Sequence, residues 1–162
     1  MGWLTFSVER DADFRKVKER LVELRGKMAD VSDPLKEIAA IYKSSTIKRF
    51  STKTTPEGRP WKKLKQRTII AKTRGYGSRG PSIESPSSQL VWKGKMRGAI
   101  KVLFQKREKR ILIGVSLNEV PYARMQHFGS DNVPARKWLG TTKGDNRAAL
   151  AVMTKFFRQA QK

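Results

Sequence analysis

The feature that most constrains the fold is a change in the spacing of apolar residues along the chain. Ile100, Val102 and Phe104 occupy every second position, as do Ile111, Ile113 and Val115, and the link 106–110 is short and wholly charged. This pattern predicts a β-hairpin. On both sides of it, apolar residues recur at steps of three or four, as in amphipathic helices. The sequence therefore predicts an α+β domain, in which a small antiparallel sheet with a central β-hairpin packs against two N-terminal helices and a C-terminal helix.

The predicted helices begin and end at residues suited to those positions. Asp33 is placed as an N-cap and Pro34 at the first helical position of a helix that continues toward Phe50. Thr142 and Asp145 have the spacing of a capping box that opens the C-terminal helix. The predicted elements outside the hairpin are a strand at 3–8 and helices at 13–29, 33–50, 66–72, 121–127 (ended by Gly129) and from 142 onward.

The charge of the chain is strongly unbalanced and concentrated in its middle. The 162 residues, enough for a single domain 1–162, include 36 Lys+Arg and 14 Asp+Glu, a formal net charge of +22. Between residues 43 and 110 there are 20 basic and 3 acidic residues. Segment 73–88 is rich in Gly, Ser and Pro, which predicts a mobile basic loop. A field of this sign favours a polyanionic partner: nucleic acid, an acidic membrane surface or an acidic protein face.

The sequence lacks the residue groups that catalysis and metal binding require. There is no cysteine, and the single histidine, His127, has no metal ligand at a suitable spacing, so a packed or hydrogen-bonded histidine is the better interpretation. Carboxylates are sparse where the positive charge is greatest, and no phosphate-binding loop or Gly-x-Ser-x-Gly motif is present. Apolar runs stay far below the roughly 20 residues of a membrane span. We therefore expect a soluble, non-enzymatic protein without a cofactor or a membrane partner, compatible with a cytoplasm.

Nucleic-acid binding is a second interpretation of the basic segment. Trp61 and Tyr76 lie among its cations and could stack on bases, although the sequence has no signature of a known nucleic-acid-binding fold. A solvated basic face near another anionic surface explains the same charges, and both interpretations stay open. The candidate polyanion contacts are Lys62, Lys63, Lys65, Arg67, Lys72, Arg74 and Arg79.

Contacts with other proteins are predicted in the segment 122–140. Pro134 starts an extended stretch in which Arg136 is free for a carboxylate and Trp138 for packing on a partner. Arg124 is the third candidate for a protein contact. By contrast, Trp61, Tyr122 and Phe128 are predicted to be core or turn residues.

Four segments of the chain resemble, in the same order, the motifs of one known family. The run 56–64 (PEGRPWKKL) is similar to P-D/E-G-x-x-W-x-x-L, and 90–97 (LVWKGKMR) to L-x-x-[ST]-G-x-L-R. Residues 122–129 (YARMQHFG) resemble Y-A-x-x-H-Q-F-G, and 133–140 (VPARKWLG) matches I-P-A-R-x-[FW]-L-G. In register, these segments resemble the phage virion morphogenesis family, which includes tail-completion proteins of Mu-like contractile-tailed phages and prophages. Departures are the reversed order Gln-His, the lysine before Gly94 and the long basic insert at 73–88.

The resemblance implies a virion protein of the tail or neck that passes through the host cytoplasm during assembly. Its expected work is tail completion or head–tail joining, without catalysis. Such positions are ring-shaped, so the resemblance implies a homo-oligomeric ring closed by head-to-tail contacts, six subunits being one expected size. The expected partners are its own copies, neighbouring tail or neck proteins, and the backbone of DNA passing through the ring. The competing interpretation is a basic nucleic-acid-binding protein without sequence specificity.

Overall fold

A computed structural model of the chain describes residues 30–75, 79–105 and 110–160, together with positions 19, 22, 23, 26 and 107. The predicted strand at 3–8, most of the predicted helix at 13–29 and Tyr76 lie outside the described residues. Within them, five helices and a two-stranded antiparallel sheet confirm the α+β class. In chain order these are α1 Ser32–Thr52, α2 Gln66–Arg74, α3 Lys95–Gly98, β1 Lys101–Gln105, β2 Arg110–Gly114, α4 Ala123–Phe128 and α5 Lys143–Ala160.

Helix α1 starts two residues earlier than predicted, with Val31 and not Asp33 at the N-cap position. The helix begins at Ser32, whose N–H donates to Asp30 Oδ1 at 2.9 Å, and Val31 precedes it without a side-chain cap. Asp33 is therefore in the first turn, where a carboxylate suits the helix dipole, and it pairs with Lys36 at 2.9 Å. Pro34 still lies in that turn, where its missing N–H leaves no helical bond unmade.

The predicted capping box of α5 is confirmed. The N–H of Thr142 donates to Asp145 Oδ2 at 2.8 Å, and the N–H of Asp145 donates to Thr142 Oγ1 at 3.0 Å. Helix α4 ends at Gly129 as predicted, with the glycine at φ 84° and its N–H bonded to Met125 O at 2.8 Å. A Cβ at Gly129 would meet the backbone N of Ala135 at 2.9 Å, so glycine is needed for both the turn and the close approach.

The core lies where three parts of the chain meet: α1, the residues between α1 and the sheet, and the stretch around Trp138. Helix α1 packs against α5 and against both strands, and the strands pair with Leu103 opposite Leu112. The buried apolar cluster consists of Phe50, Trp61, Val91, Met96, Ala99, Ile100, Val120, Ala123 and Trp138. Among the described residues, no helix is long and apolar enough to cross a membrane.

Candidate interaction surfaces

A groove of about 1010 Å³ gathers most of the cations that the sequence singled out. Its walls come from the extended segment 62–65, from α2, from segments 88–96 and 130–136, and from Tyr122 and Gln126. Of the described residues that line this basic groove, nine are basic and one, Asp131, is acidic. The basic residues are Lys62, Lys63, Lys65, Arg67, Lys72, Arg79, Lys93, Lys95 and Arg136.

Six of the seven predicted polyanion contacts line this groove, and Arg74 does not. Arg74 is exposed at the end of α2. Lys93 and Lys95, which the sequence analysis did not select, also line the groove, because the chain just before them is bonded to α2. The bond from Lys72 Nζ to the carbonyl of Val91 places the two segments together. No short-range pattern in the sequence indicates that approach.

Two of the lining cations are buried and hold the groove walls together. Lys72 donates to the carbonyl oxygens of Ser88 and Val91, and burial lowers its pKa. Arg136 donates from Nε to Lys62 O at 2.9 Å and from a terminal nitrogen to Lys63 O at 3.3 Å, and burial lowers its pKa too. These two side chains bond to the walls, so the exposed charge of the groove comes from the other lysines and arginines.

Two of the three residues predicted to contact other proteins are buried, contrary to the expectation. Arg136 is 4% exposed and Trp138 is 3% exposed, so neither side chain is free at the surface of this chain. Trp138 packs against Phe50, with ring centroids 6.1 Å apart, and against His127 at 5.8 Å. The extended stretch after Pro134 runs into the core, which its local sequence does not reveal. Arg124 is exposed, and its contact role stays a prediction.

The aromatic residues of the same region also differ from the expectation. Trp61 is buried as predicted, edge-on to Phe50 at 5.8 Å, and its Nε1 donates to Lys137 O at 3.0 Å. Tyr122 and Phe128 were predicted to pack inside, but they are 36% and 71% exposed. Helix α4 is short and buries little beyond Ala123, so its aromatic side chains remain at the surface.

His127 is a packed histidine, as predicted. Its Nδ1 accepts a hydrogen bond from the N–H of Leu139 at 3.5 Å, and its ring lies edge-on to those of Phe128 and Trp138. Burial lowers its pKa, because a protonated ring would lose its hydration there. Within the described part of the chain, no group of His, Cys, Asp and Glu residues is arranged to hold a metal ion.

A buried ion pair that the sequence analysis did not identify joins α1 to α5. Arg49 is 3% exposed and donates to Asp145 Oδ2 at 3.2 Å, to Ser45 Oγ at 3.1 Å and to Trp138 O at 3.3 Å. Asp145 thus both caps α5 and neutralises a buried arginine. Helical spacing is the feature of the sequence that relates Arg49 to the buried side of α1, because Arg49 follows the buried Thr46 by three residues.

Several large apolar side chains of the described residues are exposed, among them Ile83, Leu117 and Leu150, and two groups of them lie together. The first, the hairpin face, consists of Leu103 and Leu112, which are paired across the strands and are 60% and 43% exposed. The second, the α4 face, consists of Tyr122, Met125 and Phe128, with Met125 48% exposed. The signal for the hairpin face was the apolar run 102–104, which places apolar side chains on both sides of β1.

These features define a class: a strongly basic α+β domain with exposed apolar side chains and a basic groove. Comparison with family models is consistent with that class. The phage virion morphogenesis family matches residues 12–158, and the chain belongs to this family. It therefore has a structural or assembly role in phage virions. No match was found among curated proteins or among solved structures.

Proposed function

We propose that this chain is a non-enzymatic component of the phage tail end or neck that acts in tail completion or head–tail joining. One observation carries the proposal: Phe128, part of the motif that resembles the family pattern, is 71% exposed. A large apolar side chain at the surface is costly to leave in water, and an exposed apolar patch indicates a contact site. Tyr122, in the same motif, and Met125 extend this patch.

The assembly we propose is a ring closed by head-to-tail contacts, in which the α4 face of one copy packs on the hairpin face of the next. A ring needs two different surfaces that fit each other, whereas a two-fold dimer uses one surface twice. Six copies is one size compatible with the resemblance. Neighbouring tail or neck proteins would contact the ends of the ring, and DNA passing through it would meet basic side chains without base-specific contacts.

Deletion of the coding sequence from the phage that encodes this chain tests the function. We expect lysates that contain filled heads and separate tails, which electron microscopy counts directly, and normal virions once the gene is supplied in trans. The control is supply of a variant with Phe128→Glu, which we expect to fold and to fail to restore virions. Normal numbers of joined virions in the deletion strain would contradict the proposal.

Sequence-independent binding of nucleic acid is the second candidate, favoured by the gathering of cations in one groove. Two contacts count against stacking on bases. Trp61 is buried in the core, and the ring of Trp92 is covered by the guanidinium of Arg79 at 5.6 Å. Binding to duplex DNA that falls steeply with salt, and is lost when Lys62, Lys63, Lys65 and Arg67 are changed to Gln, would support this candidate.

A further inference from the structure

The basic groove combines exposed cations with apolar residues, and the binding of a phosphate backbone does not require both. Its rim carries exposed cations, whereas its floor includes the half-buried apolar residues Leu64, Leu90, Val133 and Pro134 and the buried Met96. Phosphate contacts require only the cations. An apolar floor between cationic walls suits a ligand that offers carboxylates at its edges and apolar side chains toward the floor.

The walls of the groove are also fixed in position. Lys72 ties α2 to the 88–91 segment, and Arg136 ties the 133–136 segment to the carbonyls of residues 62 and 63. Between the two carbonyls that Lys72 holds, Leu90 has φ 58°, a left-handed conformation that a leucine rarely adopts. Such a conformation persists only where surrounding contacts enforce it, so this wall of the groove is held in one conformation.

We propose that this groove binds an acidic segment of a neighbouring virion protein, with apolar side chains placed between its carboxylates. The choice of an acidic partner rests on charge complementarity, because the described lining residues include nine basic side chains and one acidic side chain, Asp131. The apolar floor favours such a peptide over DNA, and so does the cover that Arg79 places on the Trp92 ring. The inference rests on the proposed function only for the source of the segment.

The test uses the isolated full chain and three fluorescent probes of equal net charge. One probe is a short peptide in which Glu and Leu alternate, the second has Ser in place of every Leu, and the third is a short DNA duplex. Fluorescence anisotropy measures their affinities between about 50 and 200 mM salt. We expect the Glu/Leu peptide to bind at least about tenfold more tightly than the Glu/Ser peptide, because leucine side chains are buried on the floor.

Charge variants then locate the site. Lys62→Gln/Lys63→Gln/Lys65→Gln should weaken the Glu/Leu peptide by about tenfold. The control is Lys48→Gln/Lys143→Gln/Lys155→Gln, which removes the same charge from exposed lysines outside the groove and should change affinity far less. Circular dichroism and thermal unfolding confirm that both variants fold.

Two outcomes would overturn the proposal. Equal losses in the two triple variants would show that net charge, and not the groove, binds the peptide. Tighter binding of the duplex, together with equal affinities for the two peptides, would assign the groove to phosphate. Neither measurement depends on ring formation or on virion joining, so the proposal can fail while the proposed function stands, and the reverse.

Discussion

The two halves of the segment 122–140 differ in the burial of their side chains. In the first half, the short helix α4 leaves Tyr122, Met125 and Phe128 exposed. In the second half, Arg136 and Trp138 enter the core, although extended chains after a proline often run along the surface. The second half therefore anchors the segment in the core, and the first half leaves at the surface the apolar side chains that we propose as a contact face.

The largest expected effect on stability comes from Trp138, which anchors the second half of the segment in the core. Trp138→Ala should lower the free energy of unfolding by about 3–5 kcal/mol, because it leaves a cavity against Phe50 and His127. Urea denaturation followed by circular dichroism measures the change. Trp138→Phe is the matched control and should cost much less, because the indole Nε1 has no hydrogen-bond partner in the described structure. A loss for Trp138→Ala no greater than for Trp138→Phe would contradict the anchoring role.

The next effect tests the polar part of the anchor. Arg136→Ala should destabilise the fold by about 2–3 kcal/mol, because it leaves the carbonyls of Lys62 and Lys63 without their charged donor. The exposed Arg124→Ala, a matched change in the first half, should stay within about 0.5 kcal/mol of the original chain. Similar losses for the two variants, measured by thermal unfolding, would remove the distinction between the halves.

A smaller effect depends on pH, at His127, a residue of α4 whose ring packs on Trp138 in the second half. Burial depresses the pKa of His127 below its ordinary value of 6.5, so the unfolded chain binds the proton more readily. Stability should therefore be full above that value and should fall as the pH is lowered from about 7.5 to about 5.5. His127→Gln should flatten this part of the stability curve, measured by urea denaturation at each pH. An unchanged slope in the variant would assign the pH dependence to other groups.

The smallest expected effect on stability comes from the exposed half. Phe128→Ser should change the free energy of unfolding by no more than about 0.5 kcal/mol, because the side chain is 71% exposed. Differential scanning calorimetry of the dilute chain is the measurement, since dilution limits any contribution from self-association. A loss comparable with that of Trp138→Ala would mean that α4 packs on the chain itself.

Local patterns in the sequence were sufficient for most of the fold. Alternation located the hairpin, and the Thr142–Asp145 spacing located the start of α5, because both depend on residues close in the chain. Burial of Arg136 and Trp138 depends on contacts with residues 62, 63 and 50, far away in sequence. A single sequence carries no direct signal for such contacts, so the prediction was wrong about the exposure of Arg136 and Trp138 and about the burial of Tyr122 and Phe128, while Arg124 is exposed as predicted.

The sequence predicted that cations are concentrated in one segment, but it did not predict that they line a groove. Lys62, Lys63 and Lys65 were expected at a polyanion, and the structure places them on one rim. Lys72 belonged to the same predicted set and is 3% exposed, because α2 turns it toward the carbonyls of Ser88 and Val91. The mobility of the loop 73–88 and the single-domain organisation stay predictions.

The most direct test of head-to-tail assembly is native mass spectrometry of two single variants and of their mixture. Phe128→Glu disables the α4 face, and Leu103→Glu disables the hairpin face, while Leu150→Glu changes an equally exposed leucine elsewhere as the control. The account predicts rings for the original chain and for the control, monomers for each of the two variants alone, and one-to-one dimers when they are mixed. Rings formed by either variant alone, or a mixture that stays monomeric, would contradict it.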